Sequence, residues 1–201
     1  MNNNIGIPTI GARGLQFRSR LEAQWSYVFT ELNWNLEYEP YDLNGYIPDF
    51  IVVFANGNEL LIEVKSIMNI WDKEKECQDY IDKIINSGWQ KMFMIVGANV
   101  GLGKYSANGG DGVSLGIVGG SHDDVDDDGR IWTLPYPVLE LNNSDNSWSI
   151  ISDDSDRDGY DIGLNNGEQI YSSRHDDTPA IFQQIWTKSK NMTQWKKKTS
   201  K

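Results

Sequence analysis

Two carboxylates and a lysine lie close together in the sequence, in two β-like runs joined by a short turn. Asp49 lies near the start of the run IPDFIVVF, and Glu63 and Lys65 lie in the run NELLIEVKS. Carboxylates that meet across two strands repel each other unless a cation lies between them, and Mg²⁺ accepts carboxylate, carbonyl and water oxygens. A bound metal can activate water and polarise a phosphoryl oxygen, and a lysine beside it can stabilise developing negative charge. These residues therefore indicate metal-assisted hydrolysis.

The register of the hairpin decides whether these side chains meet. A two-residue turn sets Asp49 across from Val64, whereas a three-residue loop with Gly57 in the left-handed conformation sets Asp49 across from Glu63. The second register is favoured because it leaves one face wholly apolar and collects the charged residues at one end of the other face. The apolar face would consist of Phe50, Val52, Phe54, Leu60, Ile62 and Val64. In this register the Cβ atoms of the two acids lie about 4.5–5.5 Å apart.

The elements that must position this hairpin follow from hydrophobic periodicity. A helix is predicted from Ser19 to about Asn33, where apolar residues repeat at helical spacing. The other predicted elements of this region are strand Asn35–Glu39, helix Asp72–Asn86 and strand Lys91–Gly97. We expect an α/β fold with a mixed sheet of four or five strands and the two helices on opposite sides.

The remainder of the chain differs in composition. Residues 98–175 are rich in Gly, Asn, Ser and Asp, with short β-like runs at Val113–Val118, Arg130–Leu134 and Ser147–Ile151, and are interpreted as a loop-rich acidic β elaboration. A basic C-terminal helix is predicted within residues 176–201, from about Thr178 to Lys197. Its apolar side would consist of Ile181, Ile185, Trp186 and Trp195. The length of 201 residues fits a single domain over 1–201.

The chain contains four short motifs, FRSRLE (17–22), YEP (38–40), IPDF (47–50) and IEVKS (62–66). Together they resemble the PD-(D/E)XK nuclease superfamily. Over residues 15–97 their order is most similar to the phage junction-resolving endonucleases of that superfamily. The resemblance implies a restriction-endonuclease-like sheet, with residues 15–97 as the catalytic core of a nuclease-like domain. It also implies a divalent-metal-dependent endonuclease that hydrolyses phosphodiester bonds, with DNA, including branched or structured DNA, favoured over RNA.

The same resemblance assigns roles to individual residues. It makes Asp49 and Glu63 ligands of Mg²⁺ or Mn²⁺, with the carbonyl group of Val64 as a further ligand. Lys65 becomes the catalytic lysine, and Glu22 an auxiliary acid that helps to hold a second metal or its water. A second interpretation of Glu22 stays open, because Ser19 to Glu22 has the pattern of a capping box at a helix start.

Charge is segregated along the chain. Residues 121–161 contain twelve acidic and two basic residues, while the whole chain has a net charge of −11. Beyond Asp177 the chain has six lysines and no acid. Phosphate binding requires a basic surface, for which the candidates are Arg18, Arg20, Lys188, Lys190, Lys196, Lys197 and Lys198. The alternative is a nuclease-fold binding or inhibitor protein whose acidic region mimics nucleic acid.

Two Asp-rich stretches, residues 124–129 and 154–159, resemble the start of a calcium-binding EF-hand loop. The glutamate that such a loop needs at its twelfth position is replaced by Pro135 and Asn165, so acidic surface loops are favoured. Cys77 is the single cysteine of the chain, which favours a reducing compartment. No signal peptide or membrane span is apparent. We expect a protein of the cytoplasm, in a bacterial or phage-infected cell by the resemblance, with no membrane partner and with a homodimer left open.

Overall fold

One mixed β-sheet with helices on both faces organises the structure. A computed structural model describes residues 9–10, 15–54, 57–102, 113–120, 133–134, 137–141, 148–152 and 177–193. The helices are α1 (Arg20–Glu31), α2 (Glu74–Asn86) and α3 (Thr178–Met192). The strands are β1 (Thr9–Ile10), β2 (Leu15–Gln16), β3 (Asn35–Tyr38), β4 (Phe50–Val53), β5 (Glu59–Val64), β6 (Phe93–Leu102), β7 (Val113–Gly119), β8 (Thr133–Leu134), β9 (Pro137–Leu141) and β10 (Trp148–Ser152).

The main sheet has the strand order β10-β9-β7-β6-β5-β4-β3, and β8 also pairs with β7. β5 and β6 run parallel, so the chain must cross over between them, and α2 lies within this crossover. The other neighbouring strands of the sheet run antiparallel. β1 and β2 form a separate antiparallel pair. The chain therefore has the predicted α/β architecture.

The sheet is larger than the sequence predicts, with eight strands among the described residues instead of four or five. β6 continues to Leu102, past the predicted end at Gly97. β7 pairs with Phe93–Val96 of β6 and again with Gly101 and Leu102, and so joins the same sheet. The predicted β-like runs near 113–118, 130–134 and 147–151 correspond to β7, β8 and β10. β9 has no counterpart in the prediction, because it is short and begins with a proline.

The predicted hairpin register is confirmed. Phe50 pairs with Ile62 and Val52 with Leu60, which places Asp49 and Glu63 at corresponding positions of the two chain segments. The Phe54 amide donates to the Asn58 carbonyl at 2.9 Å, and Gly57 has a φ of 84°, as the three-residue loop requires.

Helices α1 and α3 cover one face of the sheet, and α2 covers the other. Trp25 of α1 lies 5.3 Å from Phe29 and 5.0 Å from Trp186 of α3, measured between ring centroids. The predicted apolar face of the hairpin packs in this core, with Phe50, Val52, Leu60, Ile62 and Val64 buried and Phe54 partly buried. The opposite core contains Cys77, Ile81 and Ile84 of α2 against Ile51, Leu61 and Ile95 of the sheet. The predicted placement of α1 and α2 on opposite sides is correct.

The predicted buried side of the last helix is partly wrong. In α3 the buried large side chains are Phe182 and Trp186, while Ile181 and Ile185 are only partly buried and Trp195 lies outside the described residues. Phe182 and Trp186 are four residues apart and so share a helix face, which contacts the core through Trp25. No helix of the described residues is long and apolar enough to span a membrane.

Candidate active site

The hairpin brings Asp49, Glu63 and Lys65 to one end of the sheet. Asp49 directly precedes β4, and its Oδ2 accepts a hydrogen bond of 2.8 Å from the backbone amide of Val64. Glu63 is 7 % exposed, and Asp49 is half-buried. Lys65 follows β5, and its own amide donates to the Val96 carbonyl at 2.9 Å, which continues the pairing with β6. The backbone of three strands therefore fixes this group.

The surroundings of Asp49 oppose the ionisation of its carboxyl group. Burial, followed by the charge of Glu63, raises the pKa of Asp49 from its usual 3.8 to about 7. The amide of Val64 and the ammonium of Lys65 lower this pKa, and Glu22 adds a smaller upward influence. Burial and the neighbouring carboxylate both oppose negative charge on Asp49, and a cation bound beside it would stabilise that charge.

Both oxygens of Glu63 are engaged by donors of the chain itself. The hydroxyl of Tyr46 donates to Oε2 at 2.7 Å, and the ammonium of Lys65 contacts Oε1. Burial, together with the charge of Glu63, raises the pKa of the Tyr46 hydroxyl above its usual value. The Lys65 ammonium also lies 4.8 Å from the centroid of the Tyr80 ring. Tyr80 belongs to α2, on the face of the sheet opposite α1.

Glu22 is buried at the start of α1 and is held by two donors. Its Oε2 accepts from the Tyr38 hydroxyl at 2.7 Å and from the Arg18 amide at 3.1 Å. Ser19 caps the helix, since its hydroxyl oxygen accepts from the Glu22 amide at 3.1 Å. The serine half of the predicted capping box is thus present, while the glutamate carboxylate binds an amide one residue further back and ties β3 to α1. Glu22 is near enough to Asp49 to affect its pKa.

The donor set suits a hard divalent cation. Within the described part of the chain, no group of three or more His, Cys, Asp and Glu side chains is arranged to hold a metal. Asp49 and Glu63 offer carboxylate oxygens, to which the Val64 carbonyl would add a third protein ligand. Mg²⁺ is commonly bound by only one or two carboxylates, with waters and substrate oxygens completing its shell. The residues present therefore fit Mg²⁺ or Mn²⁺.

Sequence reasoning assigns no role to three tyrosines of this site. Tyr38 belongs to the YEP motif, which indicates its position but not its bond to Glu22. Tyr80 fits the helical pattern of α2, which predicts burial and not a contact with Lys65. Tyr46 carries no periodic signal, because it reaches Glu63 through a tight turn between β3 and β4 and not through a regular element.

Two of the described candidate cations are paired with acids. Arg18 contacts Glu39 at 2.6 Å, and Lys188 contacts Glu31 at 3.3 Å. Arg20 is exposed at the start of α1, and the Lys190 ammonium lies 5.3 Å from the centroid of the Trp186 ring. Lys196, Lys197 and Lys198 lie outside the described residues, as do both Asp-rich stretches.

Comparisons with known proteins assign neither a family nor a function to the chain. No protein-family model, curated protein or solved structure matches the chain. The hairpin end, with its paired acids and its lysine, is therefore the feature from which a function has to be inferred.

Proposed function

We propose that the protein is a divalent-metal-dependent endonuclease that hydrolyses phosphodiester bonds of DNA. The observation that carries the proposal is the meeting of Asp49 and Glu63 at one hairpin end, where burial and their mutual repulsion raise the pKa of Asp49 to about 7 beside the ammonium of Lys65. Paired acids with a lysine two residues after the second acid are the pattern by which the sequence resembles PD-(D/E)XK nucleases. Membership of that superfamily, with its restriction-endonuclease-like sheet, is part of the proposal.

The positions of the side chains support the roles that the resemblance implies. Asp49, Glu63 and the Val64 carbonyl would hold Mg²⁺ or Mn²⁺, which supplies a bound water of lowered pKa and a Lewis acid for the phosphoryl oxygen. Lys65, once its ammonium leaves Glu63, is available to stabilise negative charge on the phosphate. Glu22 adds a carboxylate nearby, in an orientation that Tyr38 fixes.

Binding of a phosphate backbone needs cationic side chains, and in this acidic chain the candidates are confined to a few segments. Arg18 and Arg20 flank the helix start that carries Glu22, and the lysines from Lys188 onward are further candidates for phosphate binding. We propose DNA over RNA, including branched DNA, in the cytoplasm of a bacterial or phage-infected cell, and a homodimer stays open. These finer statements rest on the motif resemblance.

The test is incubation of the purified protein with plasmid, branched and single-stranded DNA and with RNA. Each substrate is treated in parallel with Mg²⁺, Mn²⁺ and EDTA. We expect cleavage of at least one DNA form with Mg²⁺ or Mn²⁺ and none with EDTA. Absence of cleavage on every substrate with either metal would contradict the proposal.

A second candidate is favoured by the charge of residues 121–161, where twelve acids face two bases. We propose, as this second candidate, that the acidic segment occupies the DNA-binding groove of another protein. This alternative predicts no cleavage with any metal and a stoichiometric, salt-sensitive complex with a DNA-binding protein. A pure binding protein would have no need of the three charged residues at the hairpin end, and for this reason the nuclease is preferred.

A further inference from the structure

The turn before β4 delivers a tyrosine to the candidate metal centre. Leu43 and Tyr46 pair through two backbone hydrogen bonds of 2.7 and 3.0 Å, and Asn44 and Gly45 between them both have positive φ. Such a pair of left-handed residues makes a tight, well-defined turn. The Asn44 amide group also donates to the Ser87 carbonyl at the end of α2, at 3.1 Å. Tyr46 therefore lies at the end of a short, anchored turn.

The hydroxyl of Tyr46 engages one oxygen of Glu63 and leaves the other to a cation. Oε2 accepts from Tyr46 at 2.7 Å, while Oε1 contacts the Lys65 ammonium. A metal bound at this end would compete with Lys65 for Oε1, since both carry positive charge. Tyr46 is neutral and competes with neither, so its bond can persist in both states and keep the carboxylate in one orientation.

We propose that Tyr46 is a positioning residue for Glu63, which fixes the carboxylate so that Oε1 alone is offered to the metal. This inference rests on the proposed function, because it assumes that Glu63 is a metal ligand. Outer partners that orient ligating carboxylates typically change metal affinity or activity by about 10–100-fold when they are removed. The ring of Tyr46 would contribute packing only, and its hydroxyl would carry the effect.

The experiment compares wild-type protein with Tyr46→Phe, which removes only the hydroxyl. The matched control is Tyr41→Phe, in the same segment, where the residue is 39 % exposed and the charges that influence the pKa of its hydroxyl are those of Glu59, Lys91 and Glu37. Mn²⁺ binding is measured by titration calorimetry without DNA, and cleavage is measured as a function of Mn²⁺ concentration. We expect Tyr46→Phe to weaken Mn²⁺ binding about tenfold and to raise the half-saturating Mn²⁺ concentration similarly. Turnover at saturating Mn²⁺ should fall much less, and Tyr41→Phe should bind like wild type.

The outcomes separate this inference from the function on which it rests. Equal or tighter Mn²⁺ binding by Tyr46→Phe would overturn the positioning role even if the wild-type protein cleaves DNA. Weaker binding by Tyr46→Phe, with no cleavage of any substrate by wild type, would support the positioning role and contradict the nuclease. Thermal unfolding in EDTA gives a metal-free check: Tyr46→Phe and Glu63→Ala, each of which removes the hydrogen bond, should shift the Tm non-additively when combined, and additive shifts would overturn the bond itself.

Discussion

Asp49 is an acid whose ionisation opposes folding in the metal-free protein. Its folded pKa of about 7 lies above its usual 3.8, so the folded state keeps a proton that the unfolded state has lost between these values. The contribution of Asp49 to the free energy of unfolding therefore falls as pH rises from about 4 to about 7 and then stays low. Below about pH 4 both states are protonated and the contribution no longer changes.

The variant Asp49→Asn isolates this effect. Asparagine keeps an oxygen that can accept from the Val64 amide but carries no charge, so in EDTA the variant should be more stable than wild type at pH 8, by at most about 4 kcal/mol. At pH 4 the two proteins should differ little. Urea unfolding at both pH values measures the difference. An identical difference at pH 4 and pH 8 would show that Asp49 does not titrate in this range.

The two contacts of Lys65 predict that its removal affects metal binding and turnover differently. Its ammonium occupies Oε1 of Glu63 and lies over the Tyr80 ring, so it competes with a metal for the same oxygen. In Lys65→Ala we expect Mn²⁺ affinity to be kept or raised, while single-turnover cleavage falls about 10²–10³-fold, as for the loss of one group that stabilises developing charge. Calorimetry and single-turnover assays at saturating Mn²⁺ measure the two effects. Loss of Mn²⁺ binding in this variant would assign Lys65 a structural role instead.

At the scale of elements, β6 contacts both α1 and the segment that follows Lys65, where the Ala98 amide donates to the Ile67 carbonyl at 2.8 Å. The Trp25 indole donates to the Gly97 carbonyl at 2.8 Å, and a Cβ atom at Gly97 would lie 2.6 Å from the Ile67 carbonyl oxygen. Gly97→Ala would thus push residues 66–68 away from β6. We expect it to lower the free energy of unfolding by about 1–3 kcal/mol, as overpacking does, and to slow cleavage well below its Tm.

The control for Gly97→Ala is Gly57→Ala at the hairpin loop. A Cβ atom there would meet nothing within 4 Å, but the φ of 84° is strained for alanine. It should therefore destabilise by about 1 kcal/mol through the backbone alone and leave single-turnover cleavage at saturating metal near wild type. Equal loss of cleavage in both variants would mean that stability, and not the position of residues 66–68, limits the rate.

Elements defined by local pattern could be predicted from the sequence, and those defined by distant partners could not. The hairpin register followed from burial, since only one register gives an apolar face, and Gly57 supplied the turn. The continuation of β6 to Leu102 depends on pairing with β7, which is not written in the local sequence. The buried face of α3 depends on contact with Trp25. In the candidate site, the hairpin register predicted that Asp49 and Glu63 would meet. The contact of Tyr46 with Glu63 depends on a tight turn that the sequence pattern does not predict.

At the scale of the whole molecule, the proposed function requires an acidic protein to bind a polyanion through a small part of its surface. Lys196, Lys197 and Lys198 add three charges shortly after α3 in the sequence, whereas Lys188 is already paired with Glu31. Replacing these three lysines with glutamine should weaken DNA binding without sequence preference. For each phosphate that the variant no longer binds, the slope of log affinity against log salt should become shallower by about 0.9 on duplex DNA.

The matched control changes the same charge elsewhere, by replacing Lys73, Lys75 and Lys91 with glutamine. Lys73 and Lys91 are paired with Glu76 and Glu59 in the folded protein, so they are poor candidates for phosphate binding. Fluorescence anisotropy at several salt concentrations measures affinity and slope for both variants. Equal effects of the two triple substitutions would indicate a response to net charge alone and would remove the tail from the proposed binding surface.

The central claim is that the paired acids at the hairpin end form the metal centre of a nuclease. Single-turnover cleavage of the preferred DNA, measured for wild type, Asp49→Ala and Glu63→Ala with Mg²⁺ and with EDTA, tests it most directly. We expect cleavage by wild type with Mg²⁺ only, and none by either variant, while circular dichroism shows both variants folded. Metal-dependent cleavage by either folded variant at the wild-type rate would contradict the claim and assign the activity to another site or to a contaminating nuclease.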